Sequence, residues 1–496
     1  MKATLGIMNK MRSGITKNWL VILIFITAAF LRFFRLSEFT MFLSDQGRDA
    51  IILRQITTFK HFPAIGAPSS IGQVYLGPFY YYLIAPFLLL FNFNPVGMSF
   101  GSAFLSIIGL IISYFIVKKE TDKQIALFFL IFVSFSSVLI EASRFSWNPN
   151  LLSFFSFFTL YLFYRLFNKP NKLLAIGSGM FFAFCFQLHY LAAILILPIL
   201  IWFIIKVLKT QNKIQYFSYV LLSILSFLVF NLPLIIFDLR HNFLNVKNFI
   251  GLFAQGGVVG RTSFINHFSE TVQGLFTFAL NNQIPTIVSL TIFVAIIFIF
   301  IIIIQNKKHI FLFFNVLALA LYLLGFSMLN STRLPHYYGV IYFSFFLIIA
   351  YILHVLIIHI PRSISYFVIS IILFGFIAMN IPQYNFLFQK GGNQIEHSRR
   401  VADFLAEKIN NKPFNIATWP VELTEDNYVY FLKLKNLTPA DRNKIEITNQ
   451  MFVLCNQKPC KILDSPSWNI SMFGKTKIDT IWEFDGITIY KLVHDQ

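Results

Sequence analysis

Apolar runs of about 20 residues recur along most of this 496-residue chain, each long enough to cross a ~30 Å hydrocarbon core as a helix. Hydrophobic residues make up 57% of the sequence, charged residues 12%, and the mean hydropathy is +0.69, whereas an ordinary soluble domain carries ~25% charged residues. The fold class this dictates is an all-α polytopic membrane protein. About eleven transmembrane helices are predicted, near 18–36, 98–117, 124–141, 150–167, 173–190, 191–206, 216–237, 285–304, 310–329, 338–359 and 364–382. A further apolar segment, 79–91, opens with Gly77-Pro78 and ends at Asn92-Phe93-Asn94-Pro95. Its length of about 13 residues is short for a crossing and suits a helix lying in the interface.

Orientation follows from Lys and Arg in the short loops. Lys2, Lys10, Arg12 and Lys17 precede the first span. With 79–91 read as non-spanning, every second connection is again basic: Lys118, Lys119 and Lys123; Arg165, Lys169 and Lys172; Lys206, Lys209 and Lys213; Lys307 and Lys308; Arg362. All then fall on the N-terminal side, which the positive-inside rule makes cytoplasmic. The expected organisation is a cytoplasmic N-terminus at 1–17 and a transmembrane domain at 18–389 with outer loops 37–97, 141–150, 238–284 and 329–338. An extracytoplasmic domain follows at 390–496, the whole in an inner or plasma membrane. The first span lacks a small-x-small cleavage site and reads as an uncleaved helix rather than a signal peptide. Much of the net charge of +19 lies in the cytoplasmic loops. Orientation and anionic headgroups explain it there, so membrane lipids, not nucleic acid, are the expected partners.

After residue 382 the chain turns polar. Residues 390–496 are expected to form a small α/β domain, with helices near 396–410 and 426–435 and strands near 414–418, 450–455, 478–484 and 487–493. Asp485-Gly486 is the hairpin turn signal between the last two. Cys455 and Cys460 lie here, where an outer compartment permits a disulfide; two free thiols are the alternative, and a zinc site lacks enough ligands. Cys185, in the fifth span, reads as a small apolar core residue.

The chemistry gathers in the outer loops. Directly after the first span comes Ser44-Asp45-Gln46-Gly47-Arg48-Asp49, and carboxylates beside a bilayer are costly enough to suggest function. The second loop reads Glu141-Ala142-Ser143-Arg144-Phe145-Ser146-Trp147-Asn148-Pro149-Asn150. The third begins Asp238-Leu239-Arg240-His241-Asn242 and contains Lys247 and Arg261. The fourth reads Asn330-Ser331-Thr332-Arg333-Leu334-Pro335-His336-Tyr337-Tyr338. The orientation rule gives Arg144, Arg240 and Arg333 no reason to lie outside. Planar guanidinium forks match phosphate oxygens, so a lipid phosphate headgroup is their expected ligand.

A basic N-terminus, one span, an outer acidic loop, a Pro-containing aromatic interfacial helix, many spans and an outer C-terminal domain follow in order. This arrangement resembles the GT-C glycosyltransferases of families 39 and 83, the protein O-mannosyltransferase and aminoarabinose transferase type. Where that group shows an Asp-Glu pair and then a Pro-Pro-Leu-Tyr-Tyr-like stretch, this chain reads Asp45-Gln46 and Gly77-Pro78-Phe79-Tyr80-Tyr81-Tyr82. It departs at Gln46, in place of Glu, and at Asn148, where the group often places an Asp a few residues after an Arg.

The resemblance implies transfer of a sugar from a polyprenyl-phosphate donor to an acceptor (protein, lipid or glycan) on the outer face. Such a donor already carries its leaving group, so no nucleotide, phosphate-cradling glycine loop or cofactor is expected. Asp45 is the expected general base, fixed cations would stabilise the departing phosphate, and a single carboxylate implies inversion. Expected substrate contacts are Arg48, Asp49, Tyr81, Arg144, Trp147, Asn148, His189, Arg240, His241, Arg333, His336 and Tyr337.

Structural readings compete for several of these. Asp45 could pair with Arg48 or cap a helix, and Asp49 reads more readily as a partner of Arg48 or Arg54. Arg32 and Arg35 are expected to snorkel to the interface. Trp147 suits either an interfacial belt or a sugar face, His189 and Tyr190 a helix turn, and His241 its own loop. Two other functions stay open. A lipid-linked-sugar transporter or flippase fits poorly, because the spans are nearly free of acids and no inverted repeat is visible. A non-catalytic lipid-binding assembly subunit is compatible with Gln46 and Asn148.

Overall fold

A computed structural model describes residues 2–69, 74–252, 264–304, 310–420, 423–463 and 465–495; Arg261, Lys307 and Lys308 lie outside the described residues. In chain order the first helices are α1 (Lys2–Phe33), α2 (Ser44–Thr57), α3 (Phe79–Leu90), α4 (Val96–Glu120), α5 (Lys123–Phe135), α6 (Ser137–Arg144), α7 (Leu152–Asn168), α8 (Lys172–Leu188) and α9 (Ile196–Lys209). They continue with α10 (Lys213–Phe230), α11 (Leu232–Arg240), α12 (Leu244–Leu252), α13 (Phe264–Leu280), α14 (Thr286–Ile304), α15 (Ile310–Ser327), α16 (Tyr342–His359), α17 (Arg362–Asn380), α18 (Gln394–Ile409) and α19 (Asp426–Leu434). The strands are β1 (Asn415–Trp419), β2 (Met451–Cys455), β3 (Thr476–Phe484) and β4 (Ile487–His494). The chain forms two compact units. The first comprises Met1–Phe34, Pro63–Tyr80 and Ser102–Phe388, the second Arg35–Phe62, Tyr81–Gly101 and Gln389–Gln496.

The first unit is helical. Each of the predicted spans falls on an apolar helix or helix pair. Among the described residues seven helices are long and apolar enough to cross a membrane alone, and the bent pair α5–α6 makes an eighth. The remaining three predicted spans fall on shorter apolar helices, Asn18–Phe33, Lys172–Leu188 and Thr286–Ile297. This is a multi-pass membrane protein. The segment predicted to be interfacial is α3, 12 residues with Pro86 inside.

The 58° bend between α5 and α6 has no proline or glycine to cause it. Breaking a helix in a bilayer frees backbone groups that no water can satisfy, so the partners must come from side chains. Arg32 supplies two, donating from Nη1 to the Ser134 carbonyl (3.3 Å) and from Nη2 to that of Val133 (3.2 Å). The Tyr384 hydroxyl donates to the Phe135 carbonyl (2.5 Å), and the Ser137 N–H donates to Asn380 Oδ1 (2.7 Å).

The snorkelling expected of Arg32 is therefore corrected. Arg32 is 1% exposed and also binds Ser106 Oγ (3.2 Å) and the Ala28 carbonyl (3.1 Å), because freed carbonyls inside the bundle make better partners than a distant interface. Arg35, in the second unit, pairs with Glu38 at 2.6 Å and donates to the Gln389 carbonyl at 3.0 Å. Replacing Asn380 by Leu should leave the buried Ser137 N–H orphaned, at a cost of about 1–3 kcal/mol. Thermal unfolding in detergent checks this, and an unchanged transition would refute the role given to Asn380.

The second unit carries a four-stranded sheet in the order β1-β2-β4-β3, with β1 and β2 parallel and the other pairs antiparallel. Its elements fall within two residues of the predicted ones. The β3–β4 turn places Asp485 at φ 49° and Gly486 at φ 86°, the doubly positive pattern of a tight hairpin that Asp-Gly tolerates. Cys455 and Cys460 are disulfide-bonded. Ala417, Met451, Val453, Ile462, Ile470, Phe473 and Leu492 form a closed core.

Helix α2 packs against α19 in this unit at very short range. A Cβ on Gly47 would sit 2.2 Å from the Asn427 backbone nitrogen, so the glycine is what lets the helices touch. Ser44 clamps the same junction, donating to the Thr424 carbonyl (3.0 Å) and accepting from the Thr424 N–H (2.8 Å).

Candidate active site

The first turn of α2 points Asp45 outward. Its side chain is 57% exposed, and Oδ1 accepts from Arg48 Nη1 at 2.8 Å. A carboxylate suits this position because helix N-termini carry partial positive charge. Gln46 turns inward: it is buried and its Oε1 accepts from the Leu43 N–H at 3.3 Å, closing the helix start.

One turn on, Asp49 is fully buried. Its Oδ1 accepts from Arg48 Nε (3.0 Å), Arg48 Nη2 (2.8 Å) and the Tyr81 hydroxyl (3.0 Å). Its Oδ2 has no partner among the described residues. Burial pushes the Asp49 carboxyl above the usual carboxylate range, with Arg48 pulling against it. Arg48 thus bridges an exposed carboxylate and a buried one. Arg54, the other partner considered for Asp49, instead donates to the Lys433 carbonyl at 3.3 Å.

Within the first unit a second group assembles from three loops. The rings of Trp147 and His336 lie 4.6 Å apart. His189 is 6.1 Å from His336 and 5.4 Å from Tyr337, which itself lies 4.3 Å from His336. His189 Nδ1 accepts from the Leu191 N–H at 3.2 Å, so its proton sits on Nε2 in the neutral ring. Burial lowers His336 to about 4, leaving a neutral imidazole at pH 7. Asn148 is 1% exposed, and neither amide atom has a partner among the described residues. Orphaned buried amides are rare and point to an absent ligand or water.

The three loop arginines divide. Arg144 is buried and donates from Nη1 to the carbonyls of Leu31 (3.1 Å) and Arg32 (3.0 Å), over the Phe386 ring at 3.9 Å. It thereby satisfies the C-terminal turn of α1, where a cation is favourable. Arg333 donates to the carbonyls of Leu329 (3.1 Å) and Ser331 (2.7 Å) and lies against His267 Nδ1 (3.2 Å), while its buried Nε is unpaired among the described residues. Arg240 is exposed. His241 stacks on Phe237 at 4.2 Å and bonds its carbonyl at 2.7 Å, shaping its own loop.

Residues 76–237 match the family model described as dolichyl-phosphate-mannose-protein mannosyltransferase. No curated protein matches the sequence. Among solved structures, ArnT from Cupriavidus metallidurans bound to undecaprenyl phosphate is similar with a TM-score of 0.62 at 11% identity, over 96% of this chain and 98% of that one. Its apo state gives 0.60 at 11%, over the same shares. The Archaeoglobus fulgidus oligosaccharyltransferase, in complex with zinc and sulfate, gives 0.52 at 12%, over 87% of this chain and 67% of that one. This is a GT-C fold.

The resemblance to GT-C glycosyltransferases is borne out by these comparisons; the span matched by the family model includes 77–82 and not Asp45-Gln46. Among the described residues no three His, Cys, Asp or Glu side chains gather to hold a metal ion, and Gln46 and Asn148 are amides. Sequence reasoning missed Asn245, whose side chain accepts from the Tyr75 N–H (2.7 Å) and donates to the Tyr75 carbonyl (2.9 Å) and the Tyr190 hydroxyl (3.0 Å). Asp238 caps the start of α12 through the Asn245 and Val246 N–H groups, at 2.6 and 3.2 Å. A loop Asn eight residues from the end of a span gave no signal of either contact.

Proposed function

We propose that this GT-C protein is an inverting membrane glycosyltransferase that moves a sugar from a polyprenyl-phosphate donor to an acceptor hydroxyl on the outer face, with Asp45 as general base. The observation that carries the reading is an exposed Asp45 held by Arg48 at a helix start, in a chain matching the mannosyltransferase family model over 76–237. The undecaprenyl phosphate bound to ArnT supports the donor class, and the loop-charge pattern supports an outer site with a cytoplasmic N-terminus.

In the reaction the acceptor oxygen attacks the anomeric carbon as its proton passes to the Asp45 carboxylate. The carbon–phosphate-oxygen bond breaks, and the electron pair leaves with the polyprenyl phosphate. Attack opposite the leaving group inverts the centre, and no second nucleophilic carboxylate is required. Taken by itself, the first unit's group of Trp147, His189, His336 and Tyr337 offers aromatic faces, and the unpaired Asn148 amide a donor and an acceptor, of the kind a sugar ring takes.

The test uses purified protein in nanodiscs with a panel of undecaprenyl-phosphate hexoses and pentoses and an envelope fraction as acceptor source. Release of undecaprenyl phosphate with sugar appearing in the acceptor is expected, and NMR of the product should show an inverted anomeric centre. Intact donor throughout would overturn the reading, as would donor crossing a liposome membrane uncleaved.

A further inference from the structure

The second unit has a cavity of about 340 Å³, in the size range of small-ligand sites. One wall is a single face of α2 bearing Arg54 and Gln55, continued by Thr58 just past its end; Lys433 and Asn436 come from α19 and the turn beyond it, and Lys60 closes the rim. Tyr430, also in the wall, is pinned by its hydroxyl to the Phe93 carbonyl at 2.6 Å. No carboxylate lines the cavity among the described residues.

The charge here is uncompensated. Elsewhere in the unit cations find carboxylates: Lys435 meets Asp403 at 2.8 Å, and Arg442 meets both Glu425 and Asp426 at 2.9 Å. Arg54, Lys60 and Lys433 form no ion pair within 4.0 Å among the described residues. The acids whose fields reach Lys433 are Asp426 and Asp441. Asp426 is already held by Arg442 and by Thr424 Oγ1 (2.7 Å), and Asp441 by Lys444 (3.5 Å). Burial lowers the Lys433 ammonium below its usual value, and Arg442 and Arg54 push it the same way. Bringing three like charges to one cavity costs free energy that an anion would recover.

We propose that this cavity binds a phosphate group carried on a polyol. Three cations and the neutral amide donors of Gln55 and Asn436 match the several oxygens of a phosphate better than the two of a carboxylate, and the volume leaves room for the attached group. Asp45 is not among the lining residues, and the inference does not depend on the glycosyltransferase reading.

The chemistry has two sources, a phospholipid headgroup and a soluble phosphorylated glycan, and the experiment separates them. Glycerol 3-phosphate is titrated into the full-length protein in phosphatidylcholine nanodiscs at low salt, with glycerol as the neutral control. In parallel, native mass spectrometry counts phosphatidylglycerol retained in detergent. Lys60→Gln, at an exposed position, and the double variant Lys60→Gln/Lys433→Gln are compared, with thermal unfolding as the folding control. A tenfold or greater loss of glycerol 3-phosphate affinity in the double variant, with a smaller loss in the single, supports a soluble phosphate ligand. Loss of retained phosphatidylglycerol alone supports the lipid headgroup. Wild type that binds neither probe, or folded variants that bind like wild type, would overturn the proposal.

Discussion

Asp45→Asn should abolish sugar transfer, cutting the rate by about 10²–10⁴-fold, while expression, membrane insertion and thermal stability stay close to wild type. The two outcomes separate because Asp45 is more than half exposed and its contact with Arg48 is an i,i+3 surface pair. Exposed pairs contribute only ~0.2–1 kcal/mol. Arg48 also keeps both of its hydrogen bonds to Asp49 in the variant. A missing proton acceptor, by contrast, acts directly on the transition state, where each tenfold in rate is about 1.4 kcal/mol. The measurement is release of undecaprenyl phosphate under single-turnover conditions, alongside an unfolding curve on the same preparation. A folded Asp45→Asn protein with more than a tenth of wild-type activity would remove Asp45 as the base.

Much of the architecture was legible because bilayer physics leaves few choices. Span-length apolar runs become helices, and Asp485-Gly486 marks a hairpin because few other pairs accept two positive φ angles. What escaped were long-range partnerships. The bend between α5 and α6 is invisible in Phe135-Ser136-Ser137, since no proline or glycine marks it; its stabilisers, Arg32, Asn380 and Tyr384, come from distant helices. The same blindness affected Arg144. The orientation rule left it without a purpose, and the carbonyls ending α1 that its Nη1 meets lay out of sight, while its buried Nη2 has no partner among the described residues. Gly47 was likewise only a glycine in an acidic motif until α19 was seen against it. The pairing of Asp45 with Arg48 was readable from their i,i+3 spacing, whereas the burial of Asp49 required the position of Tyr81.

That burial makes Arg48→Met strongly destabilising. Removing the guanidinium leaves Asp49 buried with only the Tyr81 hydroxyl as a donor, and breaking a buried ion pair from one side costs about 3–5 kcal/mol. The pH dependence follows from the direction of the shift. Burial already raises the folded-state pKa of Asp49 above its ordinary value, and Arg48 is the principal charge opposing that rise. Without Arg48 the carboxyl rises further. A folded pKa above the unfolded one means the folded protein favours the protonated acid. Stability is then fully present below the unfolded value and lost as pH climbs through the folded one. The Arg48→Met penalty should therefore be large at pH 8 and shrink as the pH falls toward 5. Adding Asp49→Asn removes the charge altogether and should restore most of the lost stability at pH 8, making the double variant nearly independent of pH over this range. Unfolding transitions of the wild type and the single and double variants at both pH values decide it. A penalty that is the same at pH 5 and pH 8, or one that Asp49→Asn does not relieve, would show that the loss comes from packing around Arg48 rather than from an uncompensated Asp49 charge.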